Sequence, residues 1–503
     1  MATLLEVPKV EYDLMAVESV DRSTDNIVYR VYKPDVPIPN LSAATAVDTP
    51  MNIVYSIRDL GEFFLLGDSY INVVGKFVKA DGTALDANDR PALECGSTSF
   101  FSQSRLRLNS QLVEDNSTLS HINAFIRQLT TLSPDYVSTC GSNTGFILDT
   151  GLGLADEDQY LASLPAIAAG GAAAQSLRVN QKPTFNAGYR ERRRQAGGDD
   201  GLVATAATLG DSQLAGSIER TYAVRLSDLL SCANSRKVMK NVSLRLELTT
   251  RTQNEIMFQQ NATEGGGAAN SNTSKFLITD MELVIAVHNP ALDQLSRMEA
   301  ELASGQDINY QFLKYQTFES DVGAGGDGSY RSFTFNTSSQ KPIGAFLTCQ
   351  RVKSGVAERN YNSMVFDNCN LTNVRMKVNG KQFPYSEYEP KFSSNRLSKN
   401  YARPYEELIR FMGKNYDINS GVLITADQWA NLYPLYWIPF HNLSPSPSYQ
   451  LTAEVRRATG NFPDLPAGGT TRSATDYKIY MVLLTVGEFT ISGDRSGVIV
   501  RSQ

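Results

Sequence analysis

The sequence predicts a mainly β chain folded as two similar sandwich modules in tandem, with a few short helices. Three observations carry that expectation. The chain has 503 residues, beyond the roughly 250 to 300 at which a single hydrophobic core stops growing. Its ordered stretches alternate apolar and polar residues with a period of two, and one strand, turn, strand pattern occurs twice.

Taken in chain order, the first clear strand candidate is Tyr70 to Lys79, closed by the turn residues Ala80-Asp-Gly82. Leu119, Ile122, Ile126 and Leu129 then recur at helical spacing, with Ser117 or Thr118 as the expected cap. From about 151 to 217 the chain is rich in Gly and Ala and reads as a long surface loop. Thr221 to Leu226 puts Tyr222, Val224 and Leu226 on one face, and Ser243 to Thr249 alternates without error. A shorter loop, Asn261 to Ser274, leads to a strand from Phe276 to His288. A helix is expected from Pro290 to about Ser304, with Gly305 as its stop. Strands follow at Ser332 to Asn336 and Ile343 to Val352, then a helix opened by Pro404 with Leu408, Ile409 and Met412 apolar. The strand Ile479 to Thr490 closes the series.

The repeated segments are Arg105-Leu-Arg-Leu-Asn109 and Arg375-Met-Lys-Val-Asn379, at an offset of 270 residues (375 − 105). Each places its basic residues on one strand face and its apolar residues on the other. Asn109-Ser110 and Asn379-Gly380 then supply a two-residue turn that tolerates positive φ. A helix follows each copy, and an apolar strand ends each half. Two copies of one β unit explain this order. A many-stranded unit with long loops fits a jelly-roll sandwich, so the fold class is two tandem jelly-roll β-sandwiches, a double jelly roll. The expected divisions are an N-terminal arm at 1–48, a first jelly roll at 49–289, a linker helix at 290–307, a second jelly roll at 308–493 and a C-terminal tail at 494–503.

Composition narrows function. Apolar residues make up 42% of the chain and charged residues 20%, enough for packed cores and too little charge for disorder. Forty-seven basic and fifty-three acidic side chains give a net charge of −6, the wrong balance for wrapping nucleic acid. Cys95, Cys140, Cys232, Cys349 and Cys369 are odd in number and scattered, which argues against a disulfide framework and for a reducing site of synthesis. The opening MATLLEVPKVEYDLM is not of signal-peptide form, and no apolar run approaches the roughly 18 residues of a membrane span.

The candidate chemistry is thin. His121, His288 and His441 are far apart, and packing accounts for each. No GxSxG, Walker A or HExxH pattern is present. Asp81, Asp86 and Asp89 lack the Gly and distal Glu of a calcium loop. Gly323 to Gly328 matches GxGxxG, but a strand follows where a dinucleotide site needs a helix. Asn116-Ser-Thr118 and Asn336-Thr-Ser338 are sequons read as polar turns and strand faces. Trp429, Tyr433, Tyr436, Trp437 and Phe440 are read as core or interface packing around a strand bracketed by Pro434 and Pro439, in preference to a stacking platform for glycans or bases. Arg190, Arg192, Arg193 and Arg194 form the strongest basic run. They are the candidate inter-subunit or genome contact, with a solvated loop or protein interface preferred over DNA. No catalytic, metal or cofactor residue is assigned, and no enzyme activity is expected. A glycan-binding spike and a carbohydrate-active enzyme are the rival classes; neither fibrous repeats nor a clear paired carboxylate set supports them.

Several segments carry a resemblance. Phe63-Phe-Leu-Leu-Gly-Asp-Ser-Tyr-Ile-Asn72 leading to Lys79-Ala-Asp-Gly82 resembles the opening of the first jelly roll in major capsid proteins of polinton-like viruses and adintoviruses. Val287-His-Asn-Pro290, a helix and Ile308-Asn-Tyr310 resemble their inter-module crossing. Lys314 to Phe318, Ser332 to Phe335, Pro342 to Phe346 and Val374 to Gly380 continue the likeness. The same architecture is shared by virophages, nucleocytoplasmic large DNA viruses, adenoviruses and tailless bacterial viruses. The resemblance implies a pseudo-hexagonal homotrimer that tiles an icosahedral shell around double-stranded DNA. The implied partners are other copies, neighbouring trimers, and penton and minor capsid proteins, with at most weak genome contact; an internal membrane is not established by it. The insert at 151–217 departs from the pattern.

Overall fold

The computed structural model describes residues 24–38, 50–78, 91–117, 119–150, 186–195, 219–235, 237–259, 275–304, 307–322, 329–337, 341–351, 364–392, 400–413, 421–458, 477–494 and 497–502. The first module begins with β1 (Thr24–Tyr32), β2 (Asn52–Leu60), β3 (Phe64–Val78), β4 (Pro91–Leu93), β5 (Phe101–Leu108) and β6 (Gln111–Asn116). Helices α1 (Ser120–Thr131), α2 (Pro134–Thr144) and α3 (Ala187–Gln195) come next. Then follow β7 (Arg220–Arg225), α4 (Leu226–Leu229), β8 (Val242–Thr250), α5 (Gln253–Ile256), β9 (Met257–Gln259) and β10 (Lys275–Pro290). Helix α6 (Leu292–Ala303) leads to the second module. Its elements are β11 (Asp307–Asp321), β12 (Tyr330–Thr337), β13 (Pro342–Arg351), β14 (Phe366–Asp367), β15 (Leu371–Val378), β16 (Lys381–Tyr388), α7 (Ala402–Phe411), α8 (Ala426–Asn431), β17 (Tyr436–Pro439), β18 (Tyr449–Arg457), β19 (Tyr477–Asp494) and β20 (Gly497–Ser502).

The two modules have one topology. In the first, the sheets run β1-β10-β3-β7 and β2-β8-β5-β6; in the second, β11-β19-β13 with β14 and β17 beyond it, and β12-β18-β15-β16. All these pairings are antiparallel. Facing apolar rows fill each sandwich, as on β8, where Val242, Leu244, Leu246 and Leu248 are buried and the residues between them face outward. That alternation is what a sheet with one wet face requires.

The repeated segments occupy matching hairpins, β5–β6 and β15–β16. Their turns have positive φ at Asn109 (47°) and Ser110 (70°), and at Asn379 (48°) and Gly380 (82°). Both asparagines also cross to the central strand. Ser243 N donates to Asn109 Oδ1 at 2.7 Å, and Gln450 N donates to Asn379 Oδ1 at 2.8 Å. Each asparagine therefore fixes both its own turn and the end of the neighbouring strand.

Several expectations are corrected. Residues 24–32 are not part of an arm: β1 is an edge strand hydrogen-bonded to β10, because the β-branched and aromatic run Ile27 to Tyr32 favours a strand over an arm. Residues 1–23 lie outside the described set. Residues 497–502 are not a tail, since β20 pairs with β19. β10 continues through Pro290, so α6 starts only at Leu292. Helix α1 has Leu119 at its N-cap and no side-chain cap, the packing of its apolar face replacing the missing bond. Within the supposed loop at 151–217, residues 187–195 form α3, and Tyr189 is fully buried.

Candidate assembly surface

Helix α1 is the seam between the modules. Ile122, Phe125, Ile126 and Leu129 belong to the same apolar cluster as the core of the second module. Phe125 lies 5.5 Å from Phe366 and 6.0 Å from Tyr433, centroid to centroid. The guanidinium of Arg127 stands 5.1 Å over the Tyr315 ring while donating to Ser227 O at 3.0 Å and Ser231 Oγ at 3.1 Å. Thr317 donates to Asn123, whose amide in turn donates to Asn116 at 3.1 Å. Every residue from Ser120 to Thr130 is buried.

The second module repays the contact. The strand ends carrying Tyr310, Phe312, Phe489 and Ile491 enter the apolar cluster of the first module. Tyr310 and Phe489 stack at 4.6 Å. Tyr310 Oη donates to Val238 O at 2.9 Å, and Lys237 Nζ donates to Asn309 O at 2.8 Å. So many apolar contacts across the seam make the pair of modules one body rather than two tethered domains.

The arginine run divides. Arg192 is not an external contact: its side chain is 2% exposed and donates to Leu93 O at 2.9 Å, to Ile147 O and to Asp149 Oδ1 at 2.7 Å. Burial opposes the charge on Arg192, but Asp149 outweighs it and holds the pKa above its ordinary value. The same pocket pushes the Cys95 thiol up to about 12 through burial, with Arg192 pulling the other way. Tyr433 donates back to Asp149 O at 3.3 Å, so the ion pair also touches the second module. The side chains of Arg190, Arg193 and Arg194 lie outside the described set. Sequence reasoning missed Asp149 because nothing near it is patterned; its partner is 43 residues away.

On the outer faces, the repeat carries paired charges. Arg375 and Lys377 both bind Glu454, at 2.6 and 2.8 Å. In the first module Arg107 lies 3.8 Å and Arg245 2.8 Å from Glu247. Burial works against ionisation of Glu454, but Lys377 and Arg375 outweigh it and hold the carboxyl below its ordinary value. His121 is buried on α1, and burial and then Arg251 push its pKa well below 6.5. Trp429 sits on α8, and Tyr433, Tyr436, Trp437 and Phe440 are buried with it in the core rather than exposed as a platform. The GxGxxG segment and the three aspartates lie outside the described residues. Among the described residues, no group of three or more His, Cys, Asp or Glu could hold a metal ion.

Residues 218–468 match the family model of the double jelly-roll-like domain. The chain is a double jelly-roll protein. No curated protein matches it by sequence. Among solved structures, a chain of the Sputnik virophage, seen by cryo-EM, aligns over 100% of this chain and 93% of its own, at 10% identity and a TM-score of 0.52. The mavirus major capsid protein aligns over 100% and 96%, at 10% identity and 0.49. The Faustovirus major capsid protein aligns over 94% and 92%, at 10% identity and 0.43. At such identities the likeness is one of fold. The double jelly-roll match straddles both modules, and the Sputnik chain shares the fold over the whole length.

Proposed function

We propose that this double jelly roll is a major capsid protein that acts by assembly rather than catalysis, in the capsid of a virion. Three copies form a homotrimeric capsomer, and capsomers tile an icosahedral shell around double-stranded DNA. The observation that carries this reading is the duplication itself, two modules of one topology fused through α1 into a rigid body. Three such bodies about one axis present six similar sandwiches, the footprint that packs hexagonally. Penton and minor capsid proteins complete the shell, and the net charge of −6 keeps genome contact weak.

Light scattering coupled to size exclusion, followed by negative-stain microscopy, tests the proposal. The expected result is a particle of three chain masses with a six-sided outline. A lasting monomer at all concentrations would sink the reading.

A further inference from the structure

The duplication leaves one contact made and its twin unmade. Within the chain, the first module has a socket bounded by α1 and by the residues after β7. The strand pair β11–β19 of the second module fills it, leaving Tyr310 1% and Phe312 8% exposed. The second module has the corresponding place, bounded by α7, by the end of β17 and by the start of β13. There it is an open groove of about 890 Å³ with Phe411, Trp437 and Phe440 in its wall and Ile343 and Val486 at its mouth.

Exposure records the difference. At the unfilled place Ile343 and Val486, at the mouth of the groove, are 40% and 43% exposed. The strand that corresponds to β11 is β1, an edge strand with Ile27, Val28, Tyr29 and Val31 between 41% and 55% exposed. Of the eight large exposed apolar side chains among the described residues, four lie on β1, Val36 follows close behind, and two line the groove. An apolar plug on one module and an apolar socket on the other are what a closed ring of identical chains requires, because its contacts join unlike surfaces.

The geometry points to a second copy of this chain as the occupant: β1 of one copy, backed by β10, seats in the groove of the next, repeating the contact that β11–β19 makes inside the chain. The inference rests on the trimeric reading above and names its interface. Charges flank both surfaces, with Lys33 beside β1 bound to Asp280 and Glu282, and Lys341, Glu407, Arg410 and Glu488 around the groove. That leaves an apolar centre inside a polar rim.

Two single substitutions, Val31→Glu on the strand and Val486→Glu in the groove, test it in the full-length chain by light scattering. Each should weaken the trimer about tenfold or more with an unchanged circular dichroism spectrum. Mixing the two variants should give a dimer and no trimer, because only one intact plug meets one intact socket. Tyr385→Glu, at a residue 98% exposed and outside both patches, should leave the trimer intact. A measurement without substitution covers the case of misfolding: lysine cross-linking of mixed isotope-light and isotope-heavy wild-type chains should join Lys33 of one copy to Lys341 of another. A trimeric wild type whose two folded variants stay trimeric, or one giving no such cross-link, overturns this interface and leaves the capsomer reading standing. A monomeric wild type overturns both.

Discussion

Helices α1 and α7 hold the same place in the two modules, each following the hairpin of the repeat, yet their surroundings differ. α1 is buried from Ser120 to Thr130 because its own module and the other one both lie against it. On α7 only Pro404 and Leu408 are buried, although its apolar residues fall on one face as well. The lesson is that a local sequence pattern fixes the element, whereas the amount of its surface removed from water depends on which neighbour the topology delivers.

The largest effects should come from breaking the seam on the α1 side. Asp149→Ala strands the buried guanidinium of Arg192, a change of about 3–5 kcal/mol, visible as a fall of many degrees in melting temperature. Phe125→Ala on α1 should cost a similar amount, about 3–5 kcal/mol, since its ring touches Phe146, Phe366 and Tyr433. Phe411→Ala on α7 should cost the isolated chain clearly less, and equal losses by chemical denaturation would erase the contrast between the helices.

The two turns sharpen the comparison at the next scale. Asn109→Ala and Asn379→Ala each remove one side-chain acceptor and place alanine at positive φ, so each should cost about 1–3 kcal/mol. Closely matched losses support equivalent hairpins; a twofold disparity would show that the turns serve different ends.

Acidification should separate the modules more gently. His121 of the first module is held neutral, so its folded pKa lies below the unfolded 6.5. The unfolded chain then binds the proton first, and stability contributed above pH 6.5 is lost progressively as pH falls. His121→Leu should flatten that slope. Glu454 of the second module, also depressed, stabilises above its unfolded value of 4.5 and stops doing so as pH drops through the folded value. Glu454→Gln should remove only that lower limb. Melting curves between pH 3 and 8, on the order of five points, would resolve both.

Much of the fold was legible because its signals are local. Alternation marked β8 and β10, and Asn109-Ser110 and Asn379-Gly380 marked both turns. The repeat gave the register of the two modules, since identical polar demands at a turn and at the facing strand end preserve the same residue types. Long-range pairing was not legible. Asp149 with Arg192, and Asn123 with Thr317, are set by where distant segments meet, and no spacing announces them. β1 was misjudged because its exposed apolar residues lack the period-two alternation of a half-buried strand. The same peculiarity makes it a candidate plug. The proposed assembly surface was likewise hidden, because its groove is built from α7, β13 and β17 together.

The most direct test of the duplicated building block is a cryo-EM reconstruction of the oligomer at side-chain resolution. The expected map has three copies about one axis and six similar contacts between modules, three within chains and three between them, with β1 seated beside α7. A map with two-fold symmetry, or one in which the inter-chain contacts bear no likeness to the contact made by β11–β19, would contradict it.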